Sequence, residues 1–220
     1  MTKRAAHLIV FCTSAAVLVL EILAGRLMAP YVGVSLETFT GIIGTMLAGI
    51  ALGNALGGRL ADRHSPERLI GPAMALGGMS AWASLPIVSA AGPNFGSNPV
   101  AIVALALLAF FAPAAVLSAV SPMVAKLRLT DLGETGEVVG GLSASGTVGA
   151  LFGTFVTGFI LVSAVPTRPI IIGLGLLLVI AGAGFSFKVG RTRPDATMSA
   201  VALVVFGIAA TTGSPCQFES

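Results

Sequence analysis

Glu21 is the residue whose type and position most directly imply chemistry. It falls near the middle of a long apolar stretch, about 13 Å from Pro30 along a helix axis at 1.5 Å per residue. A carboxylate at that depth in a bilayer is costly, and two readings stand: it binds a solute, ion or proton in an aqueous cavity, or it makes a buried structural hydrogen bond. Its helical neighbours at i−7, i+3 and i+4 are Ser14, Ala24 and Gly25, a face suited to close helix contact. Arg26, five residues on, lies roughly 140° round the helix, so an ion pair with Glu21 is poorly placed. Its side chain is expected to reach outward to headgroups. Asn54 is grouped with Glu21 as a candidate intramembrane solute or proton site. Thr45, Ser80, Trp82, Ser118, Ser121, Ser143, Ser145 and Thr147 are the remaining polar groups at or near membrane depth, each with a backbone carbonyl in reach.

Other chemistries find no constellation. His7 and His64 have no ligand partners at metal spacing, so no metal site is expected. No histidine or second carboxylate lies at the depth of Glu21, which excludes a nucleophile with its base. Gly173-Leu174-Gly175 and Gly182-Ala183-Gly184 follow no strand and lack a third glycine, so no dinucleotide cofactor is expected. Cys12 and Cys216 make neither a disulfide framework nor a zinc pattern.

The elements that must position these residues are membrane helices. Hydrophobic residues make up 55% of the chain and charged ones 10%, against about a quarter charged in a soluble domain. Crossing a bilayer takes about 20 apolar residues. Stretches near 7–29, 38–60, 69–91, 99–125, 138–163, 169–188 and 197–213 approach or meet that length, which predicts an all-α membrane protein of about seven spans in a single polytopic domain. Pro30, Gly92-Pro93, Pro99, Pro166, Pro169 and Pro194 punctuate the joins.

Loop charge gives orientation. Lys3, Arg4, Arg59, Arg63, Arg68, Lys126, Arg128, Lys188, Arg191 and Arg193 all fall on one side of this alternation, with Arg168 opposite and Arg26 near the far end of the first span. The positive-inside rule then predicts an inner-membrane protein with a cytoplasmic N-terminus and, with seven spans, an outside C-terminus. The net charge of +3 is scattered between apolar stretches, so no nucleic-acid partner is expected. A cleaved signal peptide is the competing reading of the first segment, but Glu21 and Arg26 stand where a cleavage region is small and neutral.

Glycines recur at helical spacing. Gly49, Gly53 and Gly57 form one stripe on the second span, and Gly149 and Gly153 another on the fifth, the pattern that lets membrane helices approach closely. Stripes on the second and fifth spans match an internal repeat of three helices plus three, an organisation common among secondary transporters. Pro113 and Pro122 are expected to kink the fourth span.

The segment from Gly58 to Arg68, reading Gly-Arg-Leu-Ala-Asp-Arg-His-Ser-Pro-Glu-Arg, resembles the cytoplasmic signature G-x-L-A-D-R-x-G-R-R of the major facilitator superfamily. The resemblance implies a gating role for Gly58, Asp62, Arg63 and Arg68, the acid capping a helix end and pairing with arginines. Ser65-Pro66 replaces the usual glycine and following basic residue. The runs Glu21 to Gly33 and Thr38 to Gly44, with Ser121-Pro122-Met123 and Thr211 to Cys216, look like the membrane region of fused major facilitator/spermidine-synthase-like proteins. The first six spans would then form one facilitator-like half, handling polyamine-type solutes with a homodimeric or second-half partner. The alternative is a membrane anchor or scaffold for an aminopropyltransferase-like domain. In that family such a domain follows the membrane part. The chain stops at Ser220 and carries no residues matching its active site, so a truncated, split or separately encoded membrane half is expected. Cys216, if paired, would find its partner in a downstream segment or another chain.

Overall fold

Thr2, Ser35 and Asn98 each accept a hydrogen bond from a backbone N–H three residues ahead, satisfying a donor that has no partner at a helix start. These caps open three of six long helices in the computed structural model, which describes residues 1–129 and 135–188. They are α1 (Lys3–Val32), α2 (Leu36–Arg63), α3 (Pro66–Ala91), α4 (Pro99–Arg128), α5 (Thr135–Ala164) and α6 (Thr167–Lys188). All six are long and apolar enough to cross a membrane, and no strand occurs among the described residues. This is the build of a multi-pass membrane protein, since a helix satisfies its own backbone groups where no water can. The expected seventh span, 197–213, lies outside the described residues.

The helices outrun their apolar stretches. The first begins at Lys3 rather than residue 7 and the second ends at Arg63 rather than residue 60, because capping and not hydropathy decides a helix end. Pro30, expected at a join, sits inside the last turn of α1. The chain instead turns at Gly33, whose φ of 80° is the one positive value among the described residues and is one that glycine adopts without a Cβ penalty. Pro113 removes an amide and pushes on the carbonyl four residues back, and α4 widens into a π-helical turn over Leu107–Phe111. A second π-helical turn spans Val156–Leu161 of α5.

Three pairs of helices make the tightest contacts. On α2, Gly49, Gly53 and Gly57 lie against the α4 backbone at Ala114, Ala115 and Ala119, where any Cβ would overlap. On α5, Gly149 and Gly153 lie the same way against Phe11 and Ala15 of α1. Both pairs run parallel, since contact positions rise together along the two chains. The third pair, α3 with α6, is antiparallel: Gly71 meets Gly182, and Gly78 meets Gly175. Trp82 covers Gly175 and donates its indole N–H to the Ile172 carbonyl at 2.9 Å.

Buried apolar side chains form two clusters. The larger joins Leu20, Leu23 and Met28 of α1 to Ile42 and Met46 of α2, Leu85 of α3, Phe110 of α4 and Ile171 of α6. The smaller joins Val10, Ala61, Met74, Val120, Val124 and Leu142 near the end where Lys3, Arg63 and Lys126 gather.

Candidate functional site

Ser14 and Thr13 of α1, Asn54 of α2, Ser118 and Ser121 of α4, and Ser143 and Thr147 of α5 converge on a partly open cavity of about 270 Å³. It sits in the half of the bundle nearer the basic end, between the two apolar clusters. Its walls exist because small residues let the helices close around it: Gly53 seats α2 on α4 beside Asn54, and Gly149 seats α5 on α1 beside Thr147.

The polar groups divide into satisfied and unsatisfied. Thr13 donates to the Ile9 and Val10 carbonyls, and Thr147 donates to Ser143 O at 3.1 Å. Both are ordinary back-bonds to the preceding turn. Asn54 and the hydroxyls of Ser14, Ser118, Ser121 and Ser143 make no hydrogen bond to another described residue. The Asn54 amide alone brings two donors and an acceptor, and each serine brings one donor and two lone pairs. Unpaired polar groups are costly away from water, so a cavity lined this way suits water or a hydrogen-bonding solute. No carboxylate, lysine or arginine lines it.

The structure does not bring Glu21 into this lining. It lies about one helical turn beyond Leu18, the last α1 residue at the cavity. Glu21 is half-buried and forms no hydrogen bond or ion pair with another described residue. Arg26 is elsewhere engaged, and not with headgroups alone: its Nη1 donates to the Val162 carbonyl at 2.8 Å. The cause is local. Pro166 stands where the helical donor to that carbonyl belongs, and proline has no N–H to give.

At the basic end Asp62 sits 2.8 Å from Lys126 Nζ, which joins the end of α2 to the end of α4. The family signature implies arginine partners; here Arg63 and Arg68 are exposed and make no ion pair with Asp62. Gly58 has open space where a Cβ would stand. Spacing alone did not reveal the partnership of Ser14 with Ser118, Ser121 and Ser143, because these residues meet only through interhelical contact. The one available signal was the Ser14, Leu18, Glu21 stripe on one face of α1.

Among the described residues no three histidines, cysteines or carboxylates are grouped to hold a metal. Cys216 and the run Thr211 to Cys216 lie outside the described residues. No family model matches this sequence, and no curated protein or solved structure is similar to it.

Proposed function

We propose that this chain is the membrane half of a solute-handling protein, with the cavity between α1, α2, α4 and α5 as its hydrated binding site. The observation that carries the reading is the set of polar side chains left without partners among the described residues at membrane depth. Such groups are expensive in hydrocarbon and mark pathways for polar solutes.

The helix pairing supports a three-plus-three repeat. Exchanging α1–α3 with α4–α6 turns the α1–α5 pair into α4–α2 and the α3–α6 pair into itself, and both parallel pairs close through glycines on the second helix of their unit. One such half is half of an alternating-access device, so the working unit contains a second copy or a partner half. The gathered cations support a reading in which the basic end, and with it the N-terminus, faces the cytoplasm.

For the solute, the lining favours a small neutral molecule with several hydroxyl or amide groups. The polyamine suggested by the family resemblance would need a carboxylate, and on α1 the nearest candidate is Glu21. Uptake into proteoliposomes separates these cases. Wild type is expected to take up a labelled polyol or a labelled polyamine, with Asn54→Leu losing either activity and Glu21→Gln losing polyamine alone. No uptake of either probe by wild type overturns the reading and leaves a membrane anchor.

A further inference from the structure

We propose that the outer cleft between α1 and α5 at the basic end binds an anionic phospholipid, its phosphate held by Arg4 and Lys3, a headgroup hydroxyl by His7, and an acyl chain lying along Leu8, Phe11 and Val148. Arg4, His7, Leu8 and Phe11 are spaced i, i+3, i+4 and i+7, which places them in one stripe along α1. The stripe changes character along its length, polar and basic for one turn and apolar for the next. From Lys3 to Phe11 the axis rises about 12 Å, enough to run from the headgroup layer into hydrocarbon. The opposite wall is α5 at Ala144, Ser145 and Val148, and the space between them is about 640 Å³.

Its polar cap is poised for an anion. Arg4 is exposed and pairs with no described residue. Lys3 lies 3.8 Å from Glu137, a carboxylate outside this cleft that lines, with Arg128, a small adjoining cavity which Lys3 and His7 also border. His7 is oriented by a relay: Ser145 Oγ donates to the Gly141 carbonyl at 3.0 Å, so it accepts from His7 Nδ1 at 2.6 Å. That leaves Nε2 without a partner among the described residues, able to accept from a headgroup hydroxyl. Below, Leu8 is 62% and Val148 56% exposed, and Phe11 is braced by Phe152 with ring centroids 5.6 Å apart. A greasy floor under a basic rim between membrane helices is the pattern that recognises anionic headgroups. The inference rests on membrane embedding and not on the solute-handling reading.

Spin-labelled phosphatidylglycerol and spin-labelled phosphatidylcholine, each added to the whole chain in phosphatidylcholine vesicles, measure it directly through the lipid fraction immobilised at the protein. Wild type is expected to enrich phosphatidylglycerol about fivefold, the value of one unshared cation at a membrane surface. Lys3→Gln with Arg4→Gln should bring the ratio near one. Ala144→Phe, which fills the cleft from an exposed position and leaves every charge in place, should lower it as well at unchanged thermal stability. Soluble glycerol phosphate should not compete. Equal immobilisation of the two lipids by wild type, full enrichment by Ala144→Phe, or displacement of lipid by glycerol phosphate would each overturn the proposal.

Discussion

From Leu20 to Met28, α1 runs through a sealed apolar core in which Leu20, Leu23 and Met28 are fully buried against Ile42, Met46 and Leu85. From Val10 to Leu18 the same helix borders a cavity whose serines and asparagine have no partners among the described residues. The half around the larger cluster has the dense packing that resists any change of volume. The half around the cavity gives that up, and its helices are held instead by glycine contacts on α2 and α5. The contrast is one of degree, since Thr45 Oγ1 and Thr157 Oγ1 are buried without a partner in the half of the larger cluster.

This contrast can be broken by mutation, and the sealed end should show the largest effect. Phe110→Ala removes a fully buried side chain of the larger cluster, and thermal unfolding in detergent should show a loss of about 3–5 kcal/mol. A loss under about 1 kcal/mol would mean that this end is not the one that holds the bundle. Gly53→Ala places a Cβ inside the Ala115 backbone and should cost about 1–3 kcal/mol. Gly58→Ala, five residues along the same helix with open space around it, should hold or raise stability, by up to about 1 kcal/mol. Equal effects at the two glycines would dismiss the close approach of α2 and α4.

Replacing Arg26 by Gln withdraws the donor from Val162 and should destabilise by about 1 kcal/mol. Trp82→Phe gives a comparable probe of the α3–α6 seam. At the cavity the sign should reverse: Ser118→Ala with Ser121→Ala removes polar groups that no described residue satisfies, so stability should hold or rise while water access falls. Maleimide labelling of Ser143→Cys, slowed by a companion Asn54→Leu, reads that access. The smallest effect belongs to Asp62→Asn. Its pair with Lys126 is exposed on both sides, so less than about 1 kcal/mol is expected, shrinking further in high salt.

The spans were legible in the sequence because hydropathy and length are local quantities, and the six described helices fall within a few residues of the stretches that predict them. Glycine spacing was equally legible, yet it does not say which backbone each stripe meets. Glu21 and Asn54 looked like one site because both are polar at membrane depth. The rotation and offset of α1 against α2 put only Asn54 in the cavity wall. His7 carried no motif, and its hydrogen bond to Ser145 spans 138 positions of sequence. Arg26 looked like a headgroup anchor, and the missing amide of Pro166 gave it a carbonyl to bind.

Composition, apolar run length and the side on which cations collect are properties of each segment by itself, so the chain alone determines that it is helical, that it suits a bilayer and how its helices alternate. Which helices touch depends on surfaces far apart in the sequence, as with Gly53 and Ala115 or Gly149 and Phe11, and lipid gives no hydrophobic push to choose among pairings. Only the tertiary structure decided that α5 lies on α1 and α4 on α2. That choice leaves serines from three helices, with Asn54, facing a common space.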